Sequence, residues 1–445
     1  MNLKVLNEHN IYAIPAGCHF GKEGGACYLV YSPLANQFFL SLPREVQLLE
    51  EALEKGEAHS ALNSLLKQTP PDEGTGEVSS DTFCTLHLLL NEKCNFHCKY
   101  CYSAQGRSSA ELTMEQIKST LDYFLSAQRK AVKERTVMFM GGGEPMLSWP
   151  LVESATLYAL EVARAQGIKV FFSLTTNGSI LNDRMISFFK EHNFTIQVSF
   201  EILPDVQEEQ RGSYEAVARN LKRLTEEGID NYVRATITPA NVDRIPQMVE
   251  HCHATFPKVT KMSCQQVVDT NLFTSVEVVR DFFERYFVSF DQAAKIATQY
   301  GITLRSSSSH LINYSKRERF CYNLLCLTPY GSFTTCPDVS SPNEADYETS
   351  LIGELNEGQV QFNEKAFERN TRGTIHTIDK CHACFAKWNC GSGCPSSRRV
   401  YAPEIFDAIC DYYRKMLFNS LMEELSKKYK ESTGKDLIAD ISAKL

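Results

Sequence analysis

The stretch Cys94-Asn95-Phe96-His97-Cys98-Lys99-Tyr100-Cys101 decides how this chain is read. Its three cysteines stand at C-x3-C-x2-C spacing, directly after the apolar run Thr82 to Leu90. That run predicts a strand, so the cysteines fall on the loop at its C-terminal end. A loop can wrap three thiolates around one inorganic centre, whereas a strand points alternate side chains apart. Three thiolates leave one iron of a four-iron, four-sulfur (4Fe–4S) cube without a protein ligand, and catalysis at a metal needs an open position. On these residues alone, a zinc site with a distant fourth ligand and a plain electron-transfer cluster stay open as alternatives.

With the aromatic Tyr100 before its last cysteine, the motif resembles the signature of the radical S-adenosylmethionine (SAM) enzymes. The resemblance implies that SAM chelates the free iron through its amino and carboxylate groups. One electron from the cluster then splits SAM into methionine and a 5'-deoxyadenosyl radical, which takes a hydrogen atom from an unactivated carbon. The cofactors carry the hard chemistry and the protein supplies geometry and shielding.

Around this motif, residues 82–308 alternate strand and helix patterns. Thr82 to Leu90, Val137 to Met140, Val170 to Leu174, Thr195 to Phe200, Tyr232 to Thr238 and Val259 to Val267 read as six strands. Thr113-Met114-Glu115-Gln116 is a capping box that opens a helix running towards Lys130, and Trp149 to Gln166 reads as a second helix. Repeated βα units predict a parallel sheet with the site at the strand C-termini. The resemblance implies a partial (β/α)6 TIM-type barrel. Gly141-Gly142-Gly143-Glu144-Pro145 follows the second strand and resembles the family's GGE motif, which implies that backbone and carboxylate (Gly142, Gly143, Glu144) hold the SAM amino group. Glycine permits that close approach. Asn177, after the third strand, and Ser199, ending the fourth, are expected to face SAM. Relatives that modify peptides commonly have Ser-x-Asp-Gly at the fourth strand; this chain has Glu201 and Ile202 at the last two places. Arg211 is a candidate partner for the SAM carboxylate, with Arg234 its rival. For each of these polar residues a helix cap or a surface ion pair is the plainer reading.

The C-terminal part, residues 309–415, carries Cys321-x9-Gly331-x4-Cys336, then Cys381-x2-Cys384-x5-Cys390-x3-Cys394, then Cys410. This pattern resembles the SPASM extension of radical SAM enzymes. It implies two auxiliary 4Fe–4S clusters: one on Cys381, Cys384, Cys390 and Cys410, the other on Cys321, Cys336 and Cys394, with Cys326 the nearest candidate for its fourth ligand. An open iron there would favour thioether chemistry. The C-x2-C pair alone also suits a zinc ribbon. Asp338 is a candidate catalytic acid or base, but it lies one residue later than the aspartate of the sulfatase-maturing branch. The other five cysteines, Cys18, Cys27, Cys84, Cys252 and Cys264, read as ordinary buried thiols.

Residues 1–67 read as a small α+β module: strands at Asn10 to Ala16, Cys27 to Tyr31 and Gln37 to Leu42, then helices at Glu45 to Lys55 and His59 to Lys67. In element order it resembles the winged-helix peptide-recognition domains of enzymes that modify ribosomal peptides, which take a leader peptide as an extra strand. A structural cap on the barrel is the alternative. Residues 68–81 read as a linker rich in Pro, Gly and Ser, and residues 416–445 as an amphipathic helix and tail packing on the barrel. The net charge of −8 without a basic run argues against nucleic acid. No apolar stretch reaches the roughly 18 residues of a membrane helix, and the start lacks a signal-peptide core. The expectation is a cytoplasmic enzyme that joins a ribosomal peptide to itself by a thioether or carbon–carbon bond, using SAM, three 4Fe–4S clusters and an external donor of flavodoxin or ferredoxin type. The alternatives are oxidation of Ser or Cys in a sulfatase to formylglycine, and a non-catalytic leader-peptide-binding partner.

Overall fold

The computed structural model describes residues 4–7, 10–17, 27–56, 60–71, 78–308, 311, 315–321 and 324–442. The chain opens with an antiparallel sheet of four strands in sequential order: β1 (Lys4–Asn7), β2 (Ile11–Pro15), β3 (Tyr28–Ser32) and β4 (Gln37–Ser41). The sequence reading had three of these and missed β1, which is too short to show a period. Helices α1 (Pro43–Lys55) and α2 (Ser60–Leu66) follow. Pro43 sits in the first turn of α1, and Glu45 reaches back to accept from the Leu42 N–H at 2.8 Å. Alternation along β2 sends Ile11 and Ala13 to the face with Val46 of α1 and Leu65 of α2. Tyr12 and Ile14 go to the opposite face, which packs on Phe385, Leu417, Phe418 and Leu421. The module is therefore buried on both faces, and its second layer comes from the C-terminal part, not from the barrel. The buried Tyr31 hydroxyl donates to Asn389 Oδ1 at 2.8 Å across this contact.

Six parallel strands form the centre: β5 (Thr85–Leu89), β6 (Glu134–Met140), β7 (Lys169–Thr176), β8 (Thr195–Ser199), β9 (Asp230–Ile237) and β10 (Lys261–Gln266). They are the six strands expected, and neighbours in sequence are neighbours in the sheet. A short seventh strand, β11 (Thr303–Arg305), pairs parallel with β10. The helices between are α3 (Met114–Phe124), α4 (Trp149–Gln166), α5 (Asp183–Glu191), α6 (Pro204–Gln210), α7 (Tyr214–Glu226), α8 (Ile245–Thr255) and α9 (Val276–Gln299). The Thr113/Gln116 box forms as expected, with Gln116 N–H to Thr113 Oγ1 at 3.2 Å and Thr113 N–H to Gln116 Oε1 at 2.8 Å. The helix stops at Phe124, well short of Lys130. There the Arg129 guanidinium takes the Phe124 carbonyl at 2.8 Å and Arg135 takes the same oxygen, which ends the helical ladder.

The sheet does not end where the cysteine-rich part begins. Strand β12 (Leu324–Leu327) pairs parallel with β5, setting Cys326 opposite His87. Strands β13 (Ser332–Thr334), β14 (Leu351–Asn356) and β15 (Gln359–Phe362) continue it as an antiparallel meander. The C-terminal helix runs Pro403–Thr433, so it crosses the boundary expected at 415/416 without a break and carries Cys410 in its second turn. It packs on α9 and also on the N-terminal sheet, with Lys428 Nζ 4.9 Å from the Phe38 ring centroid. Among the described residues no helix is long and apolar enough to cross a membrane. Of the five scattered cysteines, Cys27, Cys252 and Cys264 are buried and Cys84 is half-buried. Cys18 and most of the linker, residues 72–77, lie outside the described residues.

Candidate functional site

The barrel strands alternate by two, and the two faces differ in kind. Leu86, Leu88, Val137, Phe139, Val198 and Val233 face the helices and join the main core. The other face carries polar residues: His87, Ser173, Gln197, Ser199, Arg234 and Thr236. Most of these are half-buried and lie outside that core. A TIM barrel ordinarily fills its interior with branched apolar side chains. This interior is polar instead, which suits a binding cavity.

The C-x3-C-x2-C loop sits at the C-terminal end of β5, as expected. Cys94, Cys98 and Cys101 are half-buried. The loop begins in a tight fit between Asn91-Glu92-Lys93 and the glycine run. Gly143 N–H donates to the Asn91 carbonyl at 2.8 Å, and Glu144 N–H to the Lys93 carbonyl at 2.7 Å. A Cβ on Gly143 would lie 2.0 Å from the Lys93 oxygen, and one on Gly142 would lie 2.1 Å from Glu92 Oε2. These two glycines are required by contact, which is the physical content of the motif.

Glu144 is 3% exposed, and its carboxylate is taken by internal donors. Oε1 accepts from Thr176 Oγ1 at 2.7 Å and Met146 N–H at 3.0 Å, and Oε2 accepts from Asn177 N–H at 2.7 Å. Burial raises its pKa against the pull of these hydrogen bonds. The acid thus ties the end of β6 to the end of β7. Asn177 in turn donates through Nδ2 to Asn95 Oδ1 at 2.8 Å, so the third strand reaches into the cysteine loop.

Three functional residues escaped sequence reasoning. Glu201 is fully buried; Oε1 accepts from the Tyr100 hydroxyl and Oε2 from Thr236 N–H at 3.0 Å. Arg211 Nε lies 3.5 Å from Glu201 Oε1, Nη1 lies 3.7 Å from Cys98 Sγ, and the guanidinium stands 5.6 Å from the Tyr100 ring centroid. Arg211 is therefore engaged by the cysteine loop and Glu201. Arg234 has no side-chain hydrogen bond or ion pair among the described residues, although Glu201 and Asp338 feel its charge. Arg107 donates to the Gly142 carbonyl and, through Nη2, to Cys101 Sγ at 3.2 Å. Glu92 is fully buried beside Gly142; burial pushes its pKa up to about 7 despite the Ser340 hydroxyl and the Arg107 charge. A signal existed for Glu201, an acid two places after the strand-ending Ser199. Nothing in the spacing of Arg107 or Glu92 marks them. Ser199 is buried at 8% and ends β8 as expected. Three residues later Ile202 adopts φ 69°, a left-handed conformation that a β-branched residue rarely takes and a glycine takes freely.

In the C-terminal part, Cys381, Cys384, Cys390 and Cys410 line one pocket together with Lys380, Lys387 and Arg414. Four thiols with three cations fit a cluster whose thiolates bring negative charge. Burial raises the thiols of Cys321, Cys326, Cys336 and Cys394, and all four also feel the charge of Asp338. Asp338 is held above its usual pKa by burial, with Arg234 and hydrogen bonds from Cys336 and Ser396 opposing. No three His, Cys, Asp or Glu side chains among the described residues are close enough to hold a single ion.

Residues 88–252 match the model of the radical SAM superfamily. The chain carries a radical SAM domain, the class that uses SAM and a 4Fe–4S cluster. Among curated relatives, the radical SAM cyclopropyl synthase TigE of Paramaledivibacter caminithermalis is 26% identical over 129 residues, which span 26% of each chain. The serine-type anaerobic sulfatase-maturating enzyme of Klebsiella aerogenes is 20% identical over 337 residues, 70% of this chain and 80% of that one. Native anSMEcpe with bound AdoMet shares the fold at TM-score 0.58 and 14% identity, over 77% of this chain and 99% of that one. Streptococcus suis SuiB bound to precursor peptide SuiA shares it at TM-score 0.51 and 13% identity, over 85% and 94%.

Proposed function

We propose that this chain is a radical SAM maturase of peptides, with a SAM-binding cluster on Cys94, Cys98 and Cys101 and two auxiliary clusters in the C-terminal part. The observation that carries the reading is the three-thiol loop at the mouth of a polar barrel interior, with two further groups of thiols beside it. Cys94, Cys98 and Cys101 would hold a cluster that, when bound with SAM, would supply one-electron reductive cleavage and hydrogen-atom abstraction. Cys381, Cys384, Cys390 and Cys410 hold one auxiliary cluster. Cys321, Cys336, Cys394 and Cys326 would hold the other, and such clusters would supply an acceptor for the second electron. Gly142 and Gly143 present backbone to the SAM amino group. Glu144 acts mainly by holding Thr176 and Asn177 in place, and Tyr100, Glu201 and Arg211 brace the cysteine loop from the far side. Arg234, which makes no side-chain hydrogen bond or ion pair among the described residues, is a better anchor for a carboxylate than Arg211. An external flavodoxin- or ferredoxin-type protein returns electrons.

The favoured product is a thioether or carbon–carbon cross-link in a ribosomal peptide; the solved complex of SuiB with a precursor peptide supports a peptide substrate. The N-terminal module would present the leader. The second reading, oxidation of Ser or Cys in a sulfatase to formylglycine, is favoured by Asp338. Although one residue late, this acid lies within the electrostatic reach of Arg234 and Tyr102. There it would take the proton released as the substrate radical is oxidised.

The test is anaerobic reconstitution, iron quantitation and mass spectrometry of SAM products with peptides encoded beside the gene. About twelve irons per chain, at about four per cube, with 5'-deoxyadenosine and a peptide lighter by two hydrogens supports the first reading. The same loss at Ser or Cys of a sulfatase peptide selects the second. Zinc in place of iron, with no SAM cleavage, overturns both.

A further inference from the structure

Arg107 lies six residues past the last cysteine of the loop and bridges two parts of the site. Nη1 donates to the Gly142 carbonyl and Nη2 to Cys101 Sγ at 3.2 Å. One rigid fork therefore joins the glycine run to the cysteine loop, a geometry that lysine cannot copy. The turn that carries Arg107 is braced from the C-terminal part. Glu92 and Glu344 both feel the charge of Arg107. Glu344 is fixed by the backbone N–H groups of Ser340 at 2.7 Å and Ser341 at 3.1 Å. The turn before Arg107 is pressed onto this loop: a Cβ on Gly106 would lie 2.8 Å from both Glu344 Oε1 and Ser341 Cβ. Ser108 Oγ and the Tyr330 hydroxyl, 3.1 Å apart, add a second tie. Arg211 makes a longer approach to a different sulfur, 3.7 Å to Cys98 Sγ, so the loop carries one guanidinium at each of two cysteines.

A cation and an N–H directed at a ligand sulfur favour the reduced, more negative form of an iron–sulfur cluster. We propose that Arg107 is a positioning residue that raises the reduction potential of the SAM-binding cluster while locking the glycine run against it, and that the loop of Ser341 and Glu344, pressed on Gly106, holds the turn that carries it. The proposal rests on the assignment of Cys94, Cys98 and Cys101 to that cluster.

The test is a potentiometric titration of the reconstituted full chain, wild type and R107Q, following the electron paramagnetic resonance signal that changes when SAM is added. The expected result is full iron content in both. The midpoint of that signal falls in R107Q, so that its ratio of reduced to oxidised cluster at a fixed low potential drops about tenfold, which is about 59 mV for one electron. The auxiliary signals stay in place. An unchanged midpoint with full iron overturns the proposal and leaves the cluster assignment intact. A wild-type protein with no SAM-responsive signal overturns the assignment itself, and the proposal with it. If R107Q does not load iron, the readout becomes nitrogen hyperfine coupling on the same signal in R211K protein labelled with 15N-arginine, where Arg211 no longer contributes. Coupling supports the bond from Arg107 to Cys101; its absence overturns it.

Discussion

The loop of Cys94, Cys98 and Cys101 and the pocket of Cys381, Cys384, Cys390 and Cys410 are both built from thiols, but they are held in opposite ways. The pocket is largely local. Cys384 N–H bonds the Cys381 carbonyl at 3.1 Å, Cys390 N–H the Ala386 carbonyl at 2.8 Å, and Gly391 and Gly393 turn the chain at φ 64° and 73°. Only Cys410 comes from elsewhere, on the C-terminal helix. The cysteine loop instead leans on Arg107, six residues past Cys101, and on groups far away in sequence: Asn177, Glu201 and Arg211. A closed four-thiol pocket can rely on local turns because it has only to stay closed. A three-thiol loop that must leave one position open for a ligand has to be oriented from outside.

The sharpest way to break this comparison is to remove thiols from each. Changing Cys94, Cys98 and Cys101 to Ala should abolish 5'-deoxyadenosine formation and lower iron by about four per chain. Thermal unfolding of the iron-free protein should hardly move, because the side-chain braces remain. Changing Cys381, Cys384, Cys390 and Cys410 to Ala should also lower iron by about four. It should in addition lower the melting temperature of the loaded protein, since that pocket joins the C-terminal helix to the segment under the N-terminal sheet. Chromatography of SAM products beside calorimetry reads both; equal thermal effects would erase the distinction.

Next in size is Glu144→Ala, which leaves three donors facing a void: Thr176 Oγ1, Met146 N–H and Asn177 N–H. The expected loss is about 3 kcal/mol in denaturant titration, with two or more charge-assisted bonds gone from a buried place. A loss below about 1 kcal/mol would mean the acid is held ready for a ligand and is not a brace between strands.

How legible this was in advance follows the same division. The three-thiol loop, the glycine run and the six strands were plain in the sequence because they are local, by spacing or by period. Cys381, Cys384, Cys390 and Cys410, which the family resemblance implies as one group, line one pocket. What failed was non-local. Strand β1 is four residues long and stands only because β2 pairs with it. The pairing of β12 with β5, which runs one sheet through both parts, has no trace in either segment alone. The helix start at Pro403 was hidden because the charged stretch after residue 416 carries the clearer pattern. Arg107, Glu92 and Glu201 act through partners from 35 to more than 200 residues away, and single positions of that kind leave no pattern.

A smaller effect is expected at Tyr100→Phe. It removes one donor from the buried Glu201 carboxylate and leaves Thr236 N–H and Arg211. The stability loss should be about 1–2 kcal/mol, measured by urea unfolding of the iron-free chain. A loss as large as that of Glu144→Ala would mean that the far-side brace matters as much as the glycine-run side.

The smallest effect tests the departure at the fourth strand. Ile202 stands at φ 69° and is 1% exposed, so its side chain contributes by packing while its backbone is strained. Truncation to Ala or to Gly removes nearly the same packing, and the difference between the two isolates the backbone. In ordinary extended or helical positions Gly is worse than Ala by roughly 0.5–1 kcal/mol. At a left-handed position the sign reverses, because only the Cβ meets the following carbonyl, at roughly 1–2 kcal/mol. Ile202→Gly should therefore be more stable than Ile202→Ala by about 1 kcal/mol, read as paired urea midpoints. Ala more stable than Gly would place Ile202 in a relaxed conformation. The substitution at the family's glycine position would then carry no strain, and the turn that delivers Glu201 to Tyr100 and Arg211 would be set by packing alone.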